Sequence, residues 1–227
     1  LRASHTQLID DEELQDAKRS MTIDQYEQEF ECSFEAAIMG AYYGKEMRLL
    51  TDTGRITQVD YDPIFPVHTA WDLGYSDDTA IWWYQVVHGE IRILDYHSSN
   101  GHQIQYYADL IKSKKQEFGY EYGHHYLPHD ARAKTLASGG KSIIEQLASH
   151  IPLKYFKIVP SLSLQDGIQA TRLALMRSWF DADKCQDGIE CLRQYQREYD
   201  EDRKVFRDKP RHDWTSHGAD AFRMLAI

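Results

Sequence analysis

Three β-rich runs follow one another between residues 67 and 97, and they constrain the fold more than any other feature of the chain. The runs read VHTAWDL, TAIWWYQVV and EIRILDYH, and the turn-like stretches GYSDD and HG separate them. Runs of this composition, joined by short turns, are typical of antiparallel strands. The sequence therefore predicts a three-stranded antiparallel meander.

Helices and strands alternate after the meander. HQIQYYADLIKSKKQEF has apolar residues at helical spacing, and a strand through HHYLPHD comes next. A short helix SIIEQLASH, a strand KYFKIVP, a long helix QDGIQATRLALMRSWF and a helix GIECLRQYQREY complete the order before a basic segment and a final helix. This order resembles the ribonuclease H-like fold, an α/β fold with a mixed sheet flanked by helices. The resemblance implies that the first strand lies beside, and parallel to, the fourth.

Three aspartates interrupt or end segments that otherwise read as buried: Asp72, Asp130 and Asp220. A buried carboxylate is costly unless it is paired, protonated or bound to a cation. Parallel neighbours place their C-terminal ends together, so in this fold Asp72 and Asp130 are expected side by side. The final helix can add Asp220, with His217 three residues earlier on the same rim. His217 is open to several roles: metal ligand, orienting group, proton donor or an ordinary helix-end histidine.

Composition limits the function classes. The 227 residues are 42% apolar, which suits one good-sized domain, and no apolar stretch is long enough to span a membrane. With no signal-peptide pattern at Leu1, we expect a cytosolic protein. Cys32, Cys185 and Cys191 have no zinc or disulfide spacing. The net charge of −10 is unusual for a DNA-binding protein, but basic residues cluster between Arg203 and Arg211.

Residues 1–60 read as a helical N-terminal extension and linker, and residues 61–227 as the ribonuclease H-like domain. Asp10 or Asp11 can cap one helix that runs to about Ser20, and Thr22 with Gln25 begins a second. The turn-rich stretch TDTGRITQVDYDPIFP is interpreted as the linker. Trp82, Trp83 and Tyr84 are expected in the core, and Lys112, Lys114 and Lys115 on a solvated helix face.

Three motifs occur in order, WDLGYSDDTAIW, LPHDARAKTLASGGKS and FRDKPRHDWTSHGADAFR. Together they resemble the nuclease domain of the large terminase subunit of tailed bacteriophages, the DNA-packaging motor, over about residue 60 to the C-terminus. The resemblance implies that Asp72, Asp130 and Asp220 bind the metal, that Asp77 or Asp78 is an accessory acid, and that His217 lies at or near the site. It also implies that the basic segment forms a β-hairpin close to DNA.

The implied activity is a metal-dependent cut of concatemeric viral duplex DNA in the host cell cytoplasm. Two divalent ions about 4 Å apart can activate a water and stabilise the departing oxygen. Hard oxygen ligands favour Mg²⁺ or Mn²⁺. The implied partners are duplex DNA, an ATPase domain not found in this chain, the small terminase subunit and the portal. The residues expected to contact DNA are Lys134, Lys141, Arg203, Lys204, Arg207, Lys209 and Arg211.

Alternatives stay open at this point. The segment SGGKS at 138–142 contains the Gly-Lys-Ser of a phosphate-binding loop, but Thr135 stands where the opening glycine is needed, so no ATP hydrolysis is expected. The same acidic triad can serve another ribonuclease H-like enzyme, of resolvase or transposase type. A noncatalytic module that docks on the packaging motor is a third hypothesis. Substrate structure and strand transfer separate the resolvase or transposase type, and metal-dependent cutting of plain duplex DNA discriminates the noncatalytic module.

Overall fold

The computed structural model describes residues 40–74, 77–134, 140–200 and 203–227. The N-terminal helices predicted before residue 40, Cys32 and part of the SGGKS segment lie outside these ranges. The strands of the described residues are β1 Ile56–Thr57, β2 Val67–Asp72, β3 Thr79–Val87, β4 Glu90–Ser99, β5 Tyr122–Leu127, β6 Phe156–Ile158, β7 Ser178–Asp181, β8 Arg197–Asp200 and β9 Val205–Pro210. The α-helices are α1 Gly44–Asp52, α2 Ile104–Phe118, α3 Ile143–Leu147, α4 Leu164–Leu175, α5 Gln186–Gln194 and α6 Trp214–Ala226.

The β-strands form one large mixed sheet and one hairpin. In the described part of the chain the large sheet has seven strands in the order β1-β7-β4-β3-β2-β5-β6, and β8 pairs with β9. β3 is antiparallel to both β2 and β4, so the predicted meander is confirmed. β2 lies parallel to β5, with Ala70 opposite Tyr126, as the fold resemblance implied. The predicted α/β class with a ribonuclease H-like mixed sheet is confirmed.

Helices cover both faces of the sheet. Successive residues of a strand point to opposite faces, so each strand contributes side chains to two cores. Trp82 on β3 packs in a core with α4, α5 and α6, whereas its neighbour Trp83 packs in a second core with α2 and α3. Both indoles are fully buried, so the prediction that they belong to the core is confirmed. None of the helices described is long and apolar enough to cross a bilayer.

Two sequence interpretations at the sheet edge are wrong. The helix predicted through SWF ends at Leu175, and Ser178–Asp181 forms β7. The turn-rich stretch predicted as a linker contains β1, in which Ile56 pairs with Phe180 of β7. β7 pairs with the outer edge of β4, which the meander leaves unpaired, and β1 pairs with β7 in turn. The backbone hydrogen bonds that these pairings satisfy outweigh local propensity.

The helix predicted through GIECLRQYQREY is also too long. It ends at Gln194, and Arg197–Asp200 forms β8. Tyr195 is 1% exposed and stacks on Tyr43 with ring centroids 5.8 Å apart, so burial of this ring turns the chain out of the helix. The hairpin of β8 and β9 agrees with the hairpin that the terminase resemblance implied.

Residues before position 60 join this packing. Met47 and Leu50 of α1 are 1% and 2% exposed and belong to the core on the α6 side. Described residues on both sides of position 60 therefore share one core. The predicted division at residue 60 stays a prediction.

Candidate active site

The sheet brings Asp72 and Asp130 to the same edge. Asp72 is the last residue of β2, and Asp130 lies in a 3₁₀ turn, His129–Arg132, immediately beyond the end of β5. Pro128 separates strand from turn, since proline has no N–H with which to continue the ladder. β2 and β5 are parallel neighbours, so the two carboxylates follow neighbouring strand ends. Asp130 is exposed, and the side chain of Asp72 is 24% exposed.

Helix α6 carries Asp220 and His217 across this sheet. It begins at Asp213, whose side chain accepts from the Thr215 N–H at 2.9 Å in a capping box with Ser216. Trp82 Nε1 donates to the Gly218 carbonyl oxygen over 2.8 Å and fixes the helix to β3. A Cβ on Gly218 would lie 2.8 Å from Cys191 Cβ, so only glycine allows this approach.

His217 is hydrogen-bonded to Asp72. The distance between His217 Nδ1 and Asp72 Oδ2 is 3.0 Å, and the imidazole side chain is 13% exposed. This hydrogen bond is the main reason that the pKa of His217 is raised above its ordinary value, and the charge of Asp72 adds to it while burial opposes it. Asp72 therefore has a partner that lies 145 positions away in sequence.

Asp220 lies between a phenol and a guanidinium. Its Oδ1 accepts from Tyr195 Oη at 3.3 Å and lies 3.2 Å from Arg223 Nη1. Burial raises the pKa of Asp220, and the Asp72 charge raises it further, although Arg223 opposes the shift. Because both contacts use Oδ1, Oδ2 has no hydrogen-bond partner within the described ranges.

Asp77 and Asp78 differ in what they contact. Asp78 accepts from Ser98 Oγ at 3.0 Å and from Asn100 Nδ2 at 2.8 Å, which ties the β2–β3 loop to the end of β4. Asp77 has a side chain 61% exposed, with Oδ2 3.9 Å from His212 Nε2. The structure therefore gives Asp78 a structural role in the loop and leaves Asp77 facing the start of α6.

The ligand atoms do not gather as the sequence suggested. Among the described residues, one group of His, Cys, Asp and Glu side chains brings three ligand atoms within 4.8 Å of one another, and it consists of Asp77, His212 and His217. The predicted triad does not converge so tightly. His212 was missed, because it lies outside the final helix and shares no helical face with His217.

The predicted basic segment is partly neutralised across the hairpin. Arg207 Nη1 lies 2.8 Å and Lys209 Nζ 2.6 Å from Glu198, and Arg207 Nη2 lies 2.9 Å from Asp200. Arg211 Nε lies 3.2 Å from Asp213. These acids lie outside the basic segment of the sequence, on β8 and just before α6.

Other predicted cations are differently placed. Arg203 and Lys204 are exposed at the hairpin turn, and within the described ranges their side chains form no ion pair. Lys134 is 65% exposed and lies 3.5 Å from Glu145 Oε1, while Lys141 is exposed just before α3. The expectation that Lys114 is solvated is wrong, since its Nζ contacts Asp95, whose side chain is 4% exposed.

Comparison with known families decides the assignment. The sequence model of the terminase RNase H-like domain matches residues 69–205. The chain belongs to this family. The match runs from within β2 to the first residue of β9, and therefore includes Asp72 and Asp130 but ends before α6. No curated protein matches the sequence.

Solved terminase structures share the fold. The large terminase of a thermophilic bacteriophage, in complex with ATP-γ-S, has a TM-score of 0.59 at 16% identity, over 96% of this chain and 52% of that one. The terminase nuclease of thermophilic phage G20c with bound magnesium has a TM-score of 0.53 at 13% identity, over 83% and 97%. The P22 nuclease domain has a TM-score of 0.51 at 17% identity, over 75% and 86%. The chain thus spans about half the length of the large terminase that was solved with ATP-γ-S.

Proposed function

We propose that this chain is the nuclease part of a phage terminase large subunit, a divalent-metal-dependent endonuclease that cuts concatemeric duplex DNA during genome packaging. The observation that carries the proposal is the hydrogen bond between His217 and Asp72 at the end of β2, near enough to Asp220 for the Asp72 charge to raise its pKa, with Asp130 following the neighbouring strand β5. The family assignment supports terminase chemistry over resolvase or transposase chemistry.

The site residues fit a hard divalent cation. The charge of Asp72 raises the pKa of the nearby Asp220, and Asp220 keeps one oxygen unpartnered among the described residues. Repulsion between such acids falls when a cation lies between them. The G20c nuclease has structures with bound magnesium and with bound cobalt, which supports Mg²⁺ or Mn²⁺ as the natural choice here, with two ions as the proposed number. Bound metal would supply an activated water and charge stabilisation at the phosphate.

The side chains have separate proposed roles. Asp72, Asp130 and Asp220 supply carboxylate oxygens to the metal. His217 is held by Asp72, so its ring has a fixed orientation and can position a ligand or transfer a proton. Of the two accessory candidates, Asp77 is favoured, because Ser98 and Asn100 already occupy both oxygens of Asp78.

DNA would meet the exposed cations around this edge. Arg203 and Lys204 are the strongest candidates on the hairpin, since Arg207, Lys209 and Arg211 have carboxylate partners that a phosphate would have to displace. Lys134 and Lys141 flank the segment that follows Asp130 and are proposed as further phosphate contacts. An ATPase domain, the small terminase subunit and the portal remain proposed partners of the whole protein in the host cytoplasm.

Plasmid cleavage tests the proposal. The chain should nick and linearise supercoiled duplex DNA in Mn²⁺ or Mg²⁺ and not in EDTA. Asp72→Asn and Asp130→Asn should remove cleavage while thermal unfolding stays cooperative, because each change keeps the side-chain shape and deletes a ligand charge. Asp183→Asn, an exposed carboxylate in the turn after β7, is the matched control and should cut like the wild type.

Three results would redirect the assignment. Wild-type cleavage by Asp72→Asn would reject this carboxylate as a ligand. Absence of any metal-dependent cleavage by a folded wild-type chain would favour the noncatalytic docking module. A preference for branched DNA, or strand transfer, would favour the resolvase or transposase alternative.

A further inference from the structure

A second set of possible ligands lies at the rim of the site. Asp77, His212 and His217 each place a ligand atom within 4.8 Å of the others, although they come from the β2–β3 loop, the segment before α6 and α6 itself. The His212 and His217 rings are 5.6 Å apart between centroids and meet edge to face. The set therefore offers two imidazole nitrogens and one carboxylate oxygen.

Asp72 prepares His217 for this use. With the Nδ1 proton directed to Asp72 Oδ2 over 3.0 Å, the neutral ring carries its lone pair on Nε2. A carboxylate behind a ligating imidazole in this way fixes the tautomer and raises the basicity of the ligand nitrogen. The Asp72–His217 pair is thus a ready support for a metal ligand.

The loop around Asp77 is anchored from its other side. Asp78 is bound by Ser98 and Asn100, and Thr79 Oγ1 donates to the Gly74 carbonyl oxygen at 2.7 Å. These bonds hold the backbone of Asp77 while its carboxylate stays free to turn. His212 lies directly before Asp213, the residue that caps the start of α6.

The present contact between Asp77 and His212 is too long for a hydrogen bond. Asp77 Oδ2 and His212 Nε2 lie 3.9 Å apart. Two ligands of one small divalent ion lie about 3–3.5 Å apart, given metal–ligand distances near 2.1 Å. A contraction of about 0.4–0.9 Å would bring these two atoms to that spacing, and the ligand atom of His217 already lies within 4.8 Å of both. The Asp77 and His212 side chains are 61% and 73% exposed, so neither is locked by packing.

We propose that Asp77, His212 and His217 form a binding site for a divalent transition metal of the Co²⁺ or Zn²⁺ class at the rim of the carboxylate site, with Asp77 and His217 common to both. Imidazole nitrogens favour these ions over Mg²⁺, which prefers oxygen ligands and retained water. The site goes beyond the proposed nuclease function, since metal binding here can be measured without DNA. Asp72 links the two sites through its contact with His217.

Cobalt binding to the untagged 227-residue chain tests this site. Calorimetric titration with Co²⁺, read together with its visible absorption, reports both affinity and nitrogen coordination. His212→Ala should weaken one Co²⁺ site by at least about tenfold and change its spectrum. His150→Ala, which removes an imidazole near Asp109 instead, should leave both unchanged. Mg²⁺ affinity should be the same in wild type and His212→Ala.

Unchanged Co²⁺ affinity and spectrum in His212→Ala would overturn the site. Should His212→Ala fail to fold, Asp77→Asn is the substitute, with the same expected loss and the same contrary result. The outcome is separate from the nuclease proposal. If His212→Ala loses Co²⁺ binding and still cleaves plasmid in Mg²⁺, both proposals are supported. If His212→Ala loses Co²⁺ binding and the wild-type chain never cleaves DNA, only the site of Asp77, His212 and His217 is supported.

Discussion

His217 Nδ1 lies 3.0 Å from Asp72 Oδ2, and this contact joins the last helix of the chain to the first strand of the meander. The contact supplies the partner that the sequence around Asp72 lacks. It also changes the role expected for Asp72, because a carboxylate can orient an imidazole and bind a cation with its two oxygens.

The first prediction concerns the titration of His217. Its folded-state pKa is raised above 6.5, chiefly by the hydrogen bond to Asp72. The resulting stabilisation is fully present below the unfolded pKa of about 6.5 and is lost as the pH rises through the folded pKa. In EDTA, Asp72→Asn should lower the His217 pKa, measured from its imidazole proton resonances. Asp183→Asn should leave it unchanged, and an equal shift in both variants would contradict the pairing.

Asp220 should be a source of instability without metal. Burial, then the Asp72 charge, raises its pKa above 3.8, so the ionised group disfavours folding above its folded pKa and the penalty is absent below pH 3.8. At neutral pH in EDTA, Asp220→Asn should melt higher than the wild type, by about 2–4 °C for each kcal/mol recovered. Saturating Mn²⁺ should reduce the difference in melting temperature between Asp220→Asn and the wild type, since Mn²⁺ stabilises the folded wild-type site by mass action. A melting temperature of Asp220→Asn below that of the wild type in EDTA would show that the attraction between Asp220 and Arg223 outweighs the cost of burying Asp220.

Lys114 should matter more than its neighbours on α2. It pairs with Asp95, which is 3% exposed and whose pKa is raised by burial. Lys114→Met leaves that carboxylate unpaired and should cost about 3 kcal/mol in urea unfolding. Lys112→Met removes an exposed pair with Asp109 and should change stability by less than about 1 kcal/mol. Equal effects of the two changes would mean that the Asp95 pair is solvated.

Gly218 should be essential for the placement of α6. An added Cβ would meet Cys191 Cβ at 2.8 Å and Tyr96 Oη at 2.9 Å, so Gly218→Ala should cost about 1–3 kcal/mol and reduce cleavage by displacing Asp220. Gly167→Ala is the matched control. Its Cβ would meet the flexible Arg223 side chain at 2.4 Å, so the cost should be smaller. Equal stability loss in both variants would argue against close helix packing at Gly218.

The hairpin cations should divide into two classes. Arg203→Ala should lower the magnitude of the DNA salt slope by about one unit and weaken different sequences alike. Lys209→Ala should change the slope less, because Glu198 already neutralises Lys209. Fluorescence anisotropy across salt concentrations measures both. A larger effect from Lys209→Ala would show that DNA displaces the hairpin carboxylates.

The meander could be predicted from residue patterns, and the parallel pairing of β2 with β5 from the fold resemblance. Alternating and continuous apolar runs report burial, and burial decides which segments become strands. Asp72 and Asp130 lie at one edge of the sheet because they follow the ends of the parallel strands β2 and β5, the pairing that the fold resemblance implied. Those features depend on local composition and on element order, which the chain carries directly.

The tertiary structure decided which strands pair with one another and which charged side chains meet. β7 pairs with the open edge of β4, and β1 pairs with β7. Lys114 pairs with Asp95, and cations of the hairpin pair with Glu198 and Asp200. His212 lies 3.9 Å from Asp77 just before α6, the helix that the hydrogen bond from Trp82 to Gly218 joins to β3. The sequence by itself determined which segments are buried and where charge occurs; which charges meet depended on packing across long sequence separations, because ion pairs and hydrogen bonds act over only a few ångströms.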